Sequence, residues 1–307
     1  MAVPPPSPAA PFPAPRATPT AFTSTDALLA LAVLFWGINF IVVKAALAEM
    51  HPFALNAVRF VLASAVVAFV ARWRGAAMPP RDTWPRLIAL GILGNFIYQL
   101  GFIEGVAHTR AGNAALIMAA VPVQTAVLSH LKGLERLRLR DGLGLLVSTA
   151  GIAVIVLGSG QDVGFGATVK GDLLMLAATV CWTLYTLGVK PLADRLGPTV
   201  TTTWTVVAGS VPLVLLGIPF ALRQDWGRVS LGAWGATVYS GVFSLAVAYF
   251  LWYRGVARLG PGRTAMYSNF TPVVAVLFAW PTLGETPTVW QIFGAAGIFT
   301  GIWLTRS

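Results

Sequence analysis

Cysteine is almost missing from this 307-residue chain: Cys181 stands alone. A single thiol excludes an intramolecular disulfide and any cysteine-built metal centre. Charge is scarce too. Only 10% of residues are Asp, Glu, Lys or Arg, against 56% apolar, and the mean hydropathy is +0.74. So little polar surface cannot solvate a globule of this size, and the chain reads as an integral membrane protein. No carboxylate falls in the middle of an apolar run; Glu104 lies near the end of one and the other acids sit in connections or at ends. A proton-coupled cation antiporter would need such an embedded acid, so that mechanism is disfavoured. An intramembrane enzyme would need a nucleophile with its base, or a metal cluster, at depth. His51 and His108 lie in connections, His130 lies at the end of a run, and Gly158-Ser159-Gly160 reads as a loop instead of a strand-to-helix nucleophile turn. The connections leave no room for a soluble catalytic domain, and nothing implies a cofactor or a metal.

What remains is apolar sequence in long runs. Crossing the hydrocarbon takes roughly 20 residues of helix, and ten segments pass that test: 26–48, 52–72, 84–107, 111–131, 140–158, 171–190, 199–218, 231–253, 262–281 and 288–305. The expected fold is therefore an all-α bundle of ten transmembrane helices in the lipid bilayer. Residues 1–22 hold eight prolines and one charge, Arg16, and read as a disordered extended tail, not a secretory signal. A net charge of +10 would suggest a nucleic-acid partner in a soluble protein, but here the basic residues lie in the connections, where they report orientation. With both termini on one side, that side carries fifteen Lys and Arg and the other carries four. The positive-inside rule then puts both termini in the cytoplasm of a bacterial-type inner membrane.

A spacing occurs twice. Trp36, Lys44 and Pro52 recur 146 residues later as Trp182, Lys190 and Pro198. Gly91, Gly105-Val106-Ala107, Gly112, Pro122, Glu135 and Gly151 recur 150 residues later as Gly241, Gly255-Val256-Ala257, Gly262, Pro272, Glu285 and Gly301. The chain is a tandem duplication, with units at 26–158 and 171–305. Five spans per unit is an odd number, so the second copy must enter the membrane upside down, and duplicated bundles of this kind are chiefly transporters.

The run Phe35-Trp36-Gly37 with Asn39 and Lys44, its echo Cys181-Trp182 with Tyr185 and Lys190, the Gly-Val-Ala turns and the helices of Pro122 and Pro272 resemble the EamA repeats of the drug/metabolite transporter superfamily. The likeness covers residues 26–305. The ten-span arrangement with both ends inside is similar to the YddG-type amino-acid exporters. That resemblance implies export of small metabolites by alternating access, with neutral and aromatic amino acids as first cargo and a drug, nucleobase or sugar phosphate as alternatives. Without an embedded acid, facilitative transport is expected.

Candidate pathway residues follow from depth. Trp36, Tyr98, Phe102, Trp182, Tyr185, Tyr249, Trp252 and Tyr267 lie well inside the spans and cluster in the same two helices of each copy, as cavity walls suited to apolar side chains would. The alternative is ordinary core or lipid packing. Asn39, Gln99, Asn113 and Asn269 offer amide donors and acceptors to a zwitterion, or else bond neighbouring helices. Lys44 and Arg59 are costly charges near the outer ends of the first two spans. They either snorkel to the headgroups, with Arg59 also able to pair with Glu49, or one of them receives a substrate carboxylate. Pro122 and Pro272 are expected to kink spans four and nine at matching depth.

Overall fold

A computed structural model of the chain describes residues 23–109, 111–131, 139–158, 167–283 and 289–306. The proline-rich tail, Arg110, the connections holding Glu135 and Glu285, and Ser159-Gly160 lie outside the described residues, as does the side chain of Asn113. Among the described residues all regular structure is helical. The helices are α1, Ser24–Ala46; α2, Pro52–Trp73; α3, Arg81–His108; α4, residues 111–131; α5, Leu139–Gly158; α6 and α7, residues 167–196 and 198–223; α8, Leu231–Leu259; α9, residues 261–283; and α10, Val289–Arg306. The α1, α2, α3 and α8 helices and the stretch 170–223 are long and apolar enough to cross a membrane.

Local chemistry sets the helix ends. Thr23 and Asp26 form a reciprocal cap on α1, and Pro52 opens α2 at a position where its missing N–H is harmless. The sequence-based boundary of span six falls short: helical structure runs on past Lys190 to Gly197, which breaks it with φ 80° and is followed by Pro198. Gly260 before Pro261 does the same between α8 and α9, with φ 86°. A residue preceding proline is pushed out of the α region, and positive φ favours glycine, so each Gly-Pro pair stops one helix and starts the next.

Two helices change pitch midway. A π stretch runs through Leu93–Ile97 in α3 and another through Ser240–Val247 in α8, positions that overlap at the 150-residue interval. Each widened turn carries extra backbone and redirects the side chains after it. The α4 helix is interrupted at residue 119, and α9 tightens to a 3₁₀ turn over Tyr267–Phe270. Both irregularities lie within the turn preceding Pro122 and Pro272, where proline removes a backbone bond and crowds the carbonyl four residues back.

Residues one repeat interval apart meet inside the bundle. The rings of Trp36 and Trp182 lie 5.6 Å apart, Ser64 donates to Ser210 at 2.7 Å, and the Gln99 amide donates to the Tyr249 hydroxyl at 3.5 Å. The α5 and α10 helices pack on each other away from this centre, with Gly301 against the backbone of Gly144.

Candidate functional site

An internal cavity of about 30 Å³ lies where α1, α2, α3, α4, α6, α8 and α9 converge. It has room for about two water molecules, given roughly 10–15 Å³ for each. Seven of the residues expected from sequence line it: Trp36, Asn39, Tyr98, Gln99, Phe102, Trp182 and Tyr249. Arg59, Phe40, Met118, Ser244, Leu245, Ser268 and Thr271 complete the lining. Met118 and Ser268, one repeat interval apart, come from the irregular turns before the two prolines. The prolines thus shape the cavity from a distance.

Its walls are aromatic. Trp182 lies 5.0 Å from Tyr98 and 5.4 Å from Tyr249 by ring centroids, and Phe40 packs on Phe102 at 5.5 Å. Trp36 donates its indole N–H to the carbonyl of Ser244 at 3.0 Å, which fixes that ring within the π stretch of α8. Trp252 and Tyr185 stand behind this layer. Trp252 is fully buried 4.9 Å from Trp36. Tyr185 supports Trp182 at 5.5 Å and donates to Thr205, while Asn95 donates to the Tyr185 hydroxyl. Gly94 lies against the Tyr185 ring, where a Cβ would stand 2.3–2.5 Å from ring atoms.

The sequence left Arg59 between two readings, and both bland ones fail. Its side chain is 0% exposed, so it does not snorkel. Glu49 accepts from the backbone N–H and hydroxyl of Ser230 instead, at 2.7 and 2.8 Å. Arg59 Nε donates to Ser240 Oγ at 2.6 Å, and Nη1 donates to Asn56 Oδ1 at 3.0 Å. Ser240 in turn donates to Asn39 Oδ1. The third nitrogen, Nη2, is buried without a hydrogen-bond partner, and the guanidinium carbon lies 5.8 Å from the Phe102 ring centre. No acid faces this cation among the described residues. The second copy carries Thr205 at the corresponding position, 146 residues on. The close packing is matched too: a Cβ on Gly91 would meet the Thr205 carbonyl at 2.6 Å, and one on Gly241 the Arg59 carbonyl at 2.9 Å.

Three expected residues lie elsewhere. Lys44 does not snorkel: its ammonium donates to the carbonyls of Val106, Ala107 and Thr109 at 2.9, 3.2 and 2.6 Å. A cation on the last carbonyls of α3 satisfies acceptors that the helix leaves open and complements its dipole. Tyr267 donates to Asp26 near the start of α1 and lines a separate apolar groove with Leu31, Leu34 and Phe270. Asn269 is buried behind the cavity wall with its carbonyl oxygen unpartnered.

Known proteins agree with this architecture. A solved crystal structure 22% identical to the chain covers 92% of it, is itself covered over 96% of its length, and superposes with a TM-score of 0.73. An uncharacterized transporter, YyaM of Bacillus subtilis, is 28% identical over 89% of this chain and 90% of its own. An uncharacterized transporter of Archaeoglobus fulgidus is 29% identical over 93% and 98%. A probable terminal-alkyne amino-acid exporter of Streptantibioticus cattleyicolor is 28% identical over 90% and 91%. The profile of the EamA-like transporter family matches twice, over residues 23–157 and 169–307. With most of its length matched by that profile, in two successive copies, the chain belongs to the EamA-like transporter family.

Proposed function

We propose that this membrane transporter exports neutral and aromatic amino acids across the cell membrane, by alternating access and without a coupling ion. The observation that carries the reading is Arg59: a fully buried guanidinium with one N–H unpartnered, on the wall of an aromatic cavity. Burying a cation without an anion is expensive, and such a charge at membrane depth marks a substrate path. A cargo carboxylate supplies the missing anion, and the indole and phenol rings around it suit an apolar side chain. A drug or nucleobase without a carboxylate would leave Arg59 unused. A sugar phosphate calls for several cations, and Arg59 is the one cation in the described lining. The Streptantibioticus relative, by its name, handles amino acids too.

The architecture we infer around this site is ten spans in two inverted five-helix repeats with both termini cytoplasmic. Contacts between residues one repeat interval apart support it, because residues near a two-fold axis meet their own counterparts. A cavity of about 30 Å³ is too small for an amino acid, so cargo enters only when the helices part. The irregular turns before Pro122 and Pro272 supply places to bend. The test is uptake of labelled phenylalanine, leucine, methionine and threonine into liposomes holding the purified protein, beside empty liposomes and Arg59→Gln. Saturable uptake that equilibrates without an ion gradient, and is lost in the variant, is expected. Concentrative uptake driven by a pH gradient would refute the facilitative reading; folded protein that moves none of the four would refute the cargo.

A further inference from the structure

The cavity holds a second unmatched polar atom. Gln99 is 2% exposed and its Oε1 is buried without a hydrogen-bond partner, while its Nε2 is turned to the Tyr249 hydroxyl. Its placement is tied to that of Arg59 by one residue. Asn56 accepts from Arg59 Nη1 and donates through Nδ2 to the backbone carbonyl of Gln99 at 3.4 Å. The cavity therefore presents two open valences of opposite kind: a cationic N–H donor on α2 and a neutral carbonyl acceptor on α3. Between and around them stand the rings of Tyr98, Phe102 and Tyr249.

A buried acceptor without a donor is costly, so a polar cargo group that donates to it is favoured over one that cannot. No Asp or Glu appears in the described lining, which leaves a neutral oxygen and aromatic faces as the available partners for a positive charge. A carboxylate on Arg59 and an ammonium on Gln99 would fill both valences at once, with a single molecule carrying no net charge. We infer that the Gln99 side-chain carbonyl is where this transporter reads the ammonium group, making it selective for amino acids over carboxylic acids that lack the amine. This inference rests on the carboxylate being held by Arg59. It adds a specificity-determining residue that the aromatic walls alone do not supply, because rings would accept phenylalanine and its deaminated analogue alike.

The experiment is competition against labelled phenylalanine uptake in liposomes of the full-length protein, with unlabelled phenylalanine, 3-phenylpropionate and phenethylamine as competitors. For the wild type, 3-phenylpropionate should compete at least about tenfold more weakly than phenylalanine, since a site built to bond an N–H rejects analogues without it. In Gln99→Leu and Gln99→Met, the ratio between the two should fall towards one, chiefly through weaker binding of phenylalanine. A general loss of packing would weaken both competitors together and leave the ratio in place. Equal competition by phenylalanine and 3-phenylpropionate in the wild type would overturn the inference without any variant. So would a wild-type ratio retained in a folded Gln99 variant. Both of those results leave the Arg59 reading standing. That reading fails separately if phenethylamine competes as well as phenylalanine, or if no amino acid is taken up.

Discussion

Replacing Arg59 by methionine separates a residue kept for cargo from one kept for architecture. The two hydrogen bonds it donates, to Ser240 and Asn56, involve a charged group and contribute about 1.5–3 kcal/mol each. Against them stands the cost of a guanidinium in the hydrocarbon region, about 2.5–3.5 kcal/mol on insertion scales. The unpartnered Nη2 adds about 1–3 kcal/mol to that cost. The opposing terms are of equal size. Methionine fills much of the same volume, Ser240 keeps its bond to Asn39, and only Asn56 Oδ1 loses its partner. The expected change in stability is therefore within about 2 kcal/mol in either direction, as for other buried charges exchanged for apolar side chains. The readout is thermal unfolding followed by tryptophan fluorescence in detergent micelles, with and without phenylalanine. At a hundredfold excess over its Kd, phenylalanine should stabilise the wild type by about 2.7 kcal/mol and leave Arg59→Met unmoved. A variant that loses about 4 kcal/mol or more would show Arg59 to be a strut. One that keeps the ligand-induced shift would show that the carboxylate binds elsewhere.

Gly94→Ala places a methyl 2.3–2.5 Å from the Tyr185 ring, so Tyr185 and the Trp182 it supports must move; a loss of about 1–3 kcal/mol and slower uptake are expected, with unchanged uptake counting against this support. Lys44→Met should lower the melting temperature, because three carbonyls at the end of α3 lose their donor, while the apparent KM for phenylalanine stays put; a KM effect without destabilisation would return Lys44 to the pathway. The bonds from Ser230 hold the Glu49 carboxyl below its ordinary pKa. A depressed acid lends stability that is present above its unfolded pKa and is lost as pH falls through the folded one. The melting temperature should thus fall on acidification below the usual carboxylate range, and the fall should be smaller in Glu49→Gln; an identical pH profile would exclude the contact.

The coarse plan of the molecule was open to reading because it rests on composition and spacing. Apolar runs mark the helices, and the intervals of 146 and 150 residues pair positions such as Trp36 with Trp182 that do meet in the bundle. Depth along the spans picked out most of the aromatic wall. The π stretches were not visible, since they need only one extra residue in a turn and leave the hydropathy pattern unchanged. They alter which face of α3 and α8 meets the cavity, which is why Trp252 sits behind the wall and Tyr249 on it. Charge near the end of a helix was equally ambiguous. Lys44 and Arg59 look alike in sequence, yet one finds helix carbonyls and the other does not. The useful signal lay in the neighbours of Arg59: Asn56 is one turn away on the same face, whereas the nearest acid, Glu49, lies beyond the start of α2 and is taken by Ser230.

The counterpart of Arg59 in the second copy is Thr205, a hydroxyl in place of a charge. If inverted copies were identical, the forms open to either side would be mirror images of equal free energy, populated equally without cargo. A charge on one side alone removes that degeneracy and sets a resting preference. It also couples the protein to voltage, since one elementary charge crossing the full membrane is worth about 2.3 kcal/mol per 100 mV. Any part of that depth through which Arg59 moves shifts the resting population in proportion. Export of a zwitterion, which carries no net charge, would then respond to membrane potential through the carrier and not through the cargo.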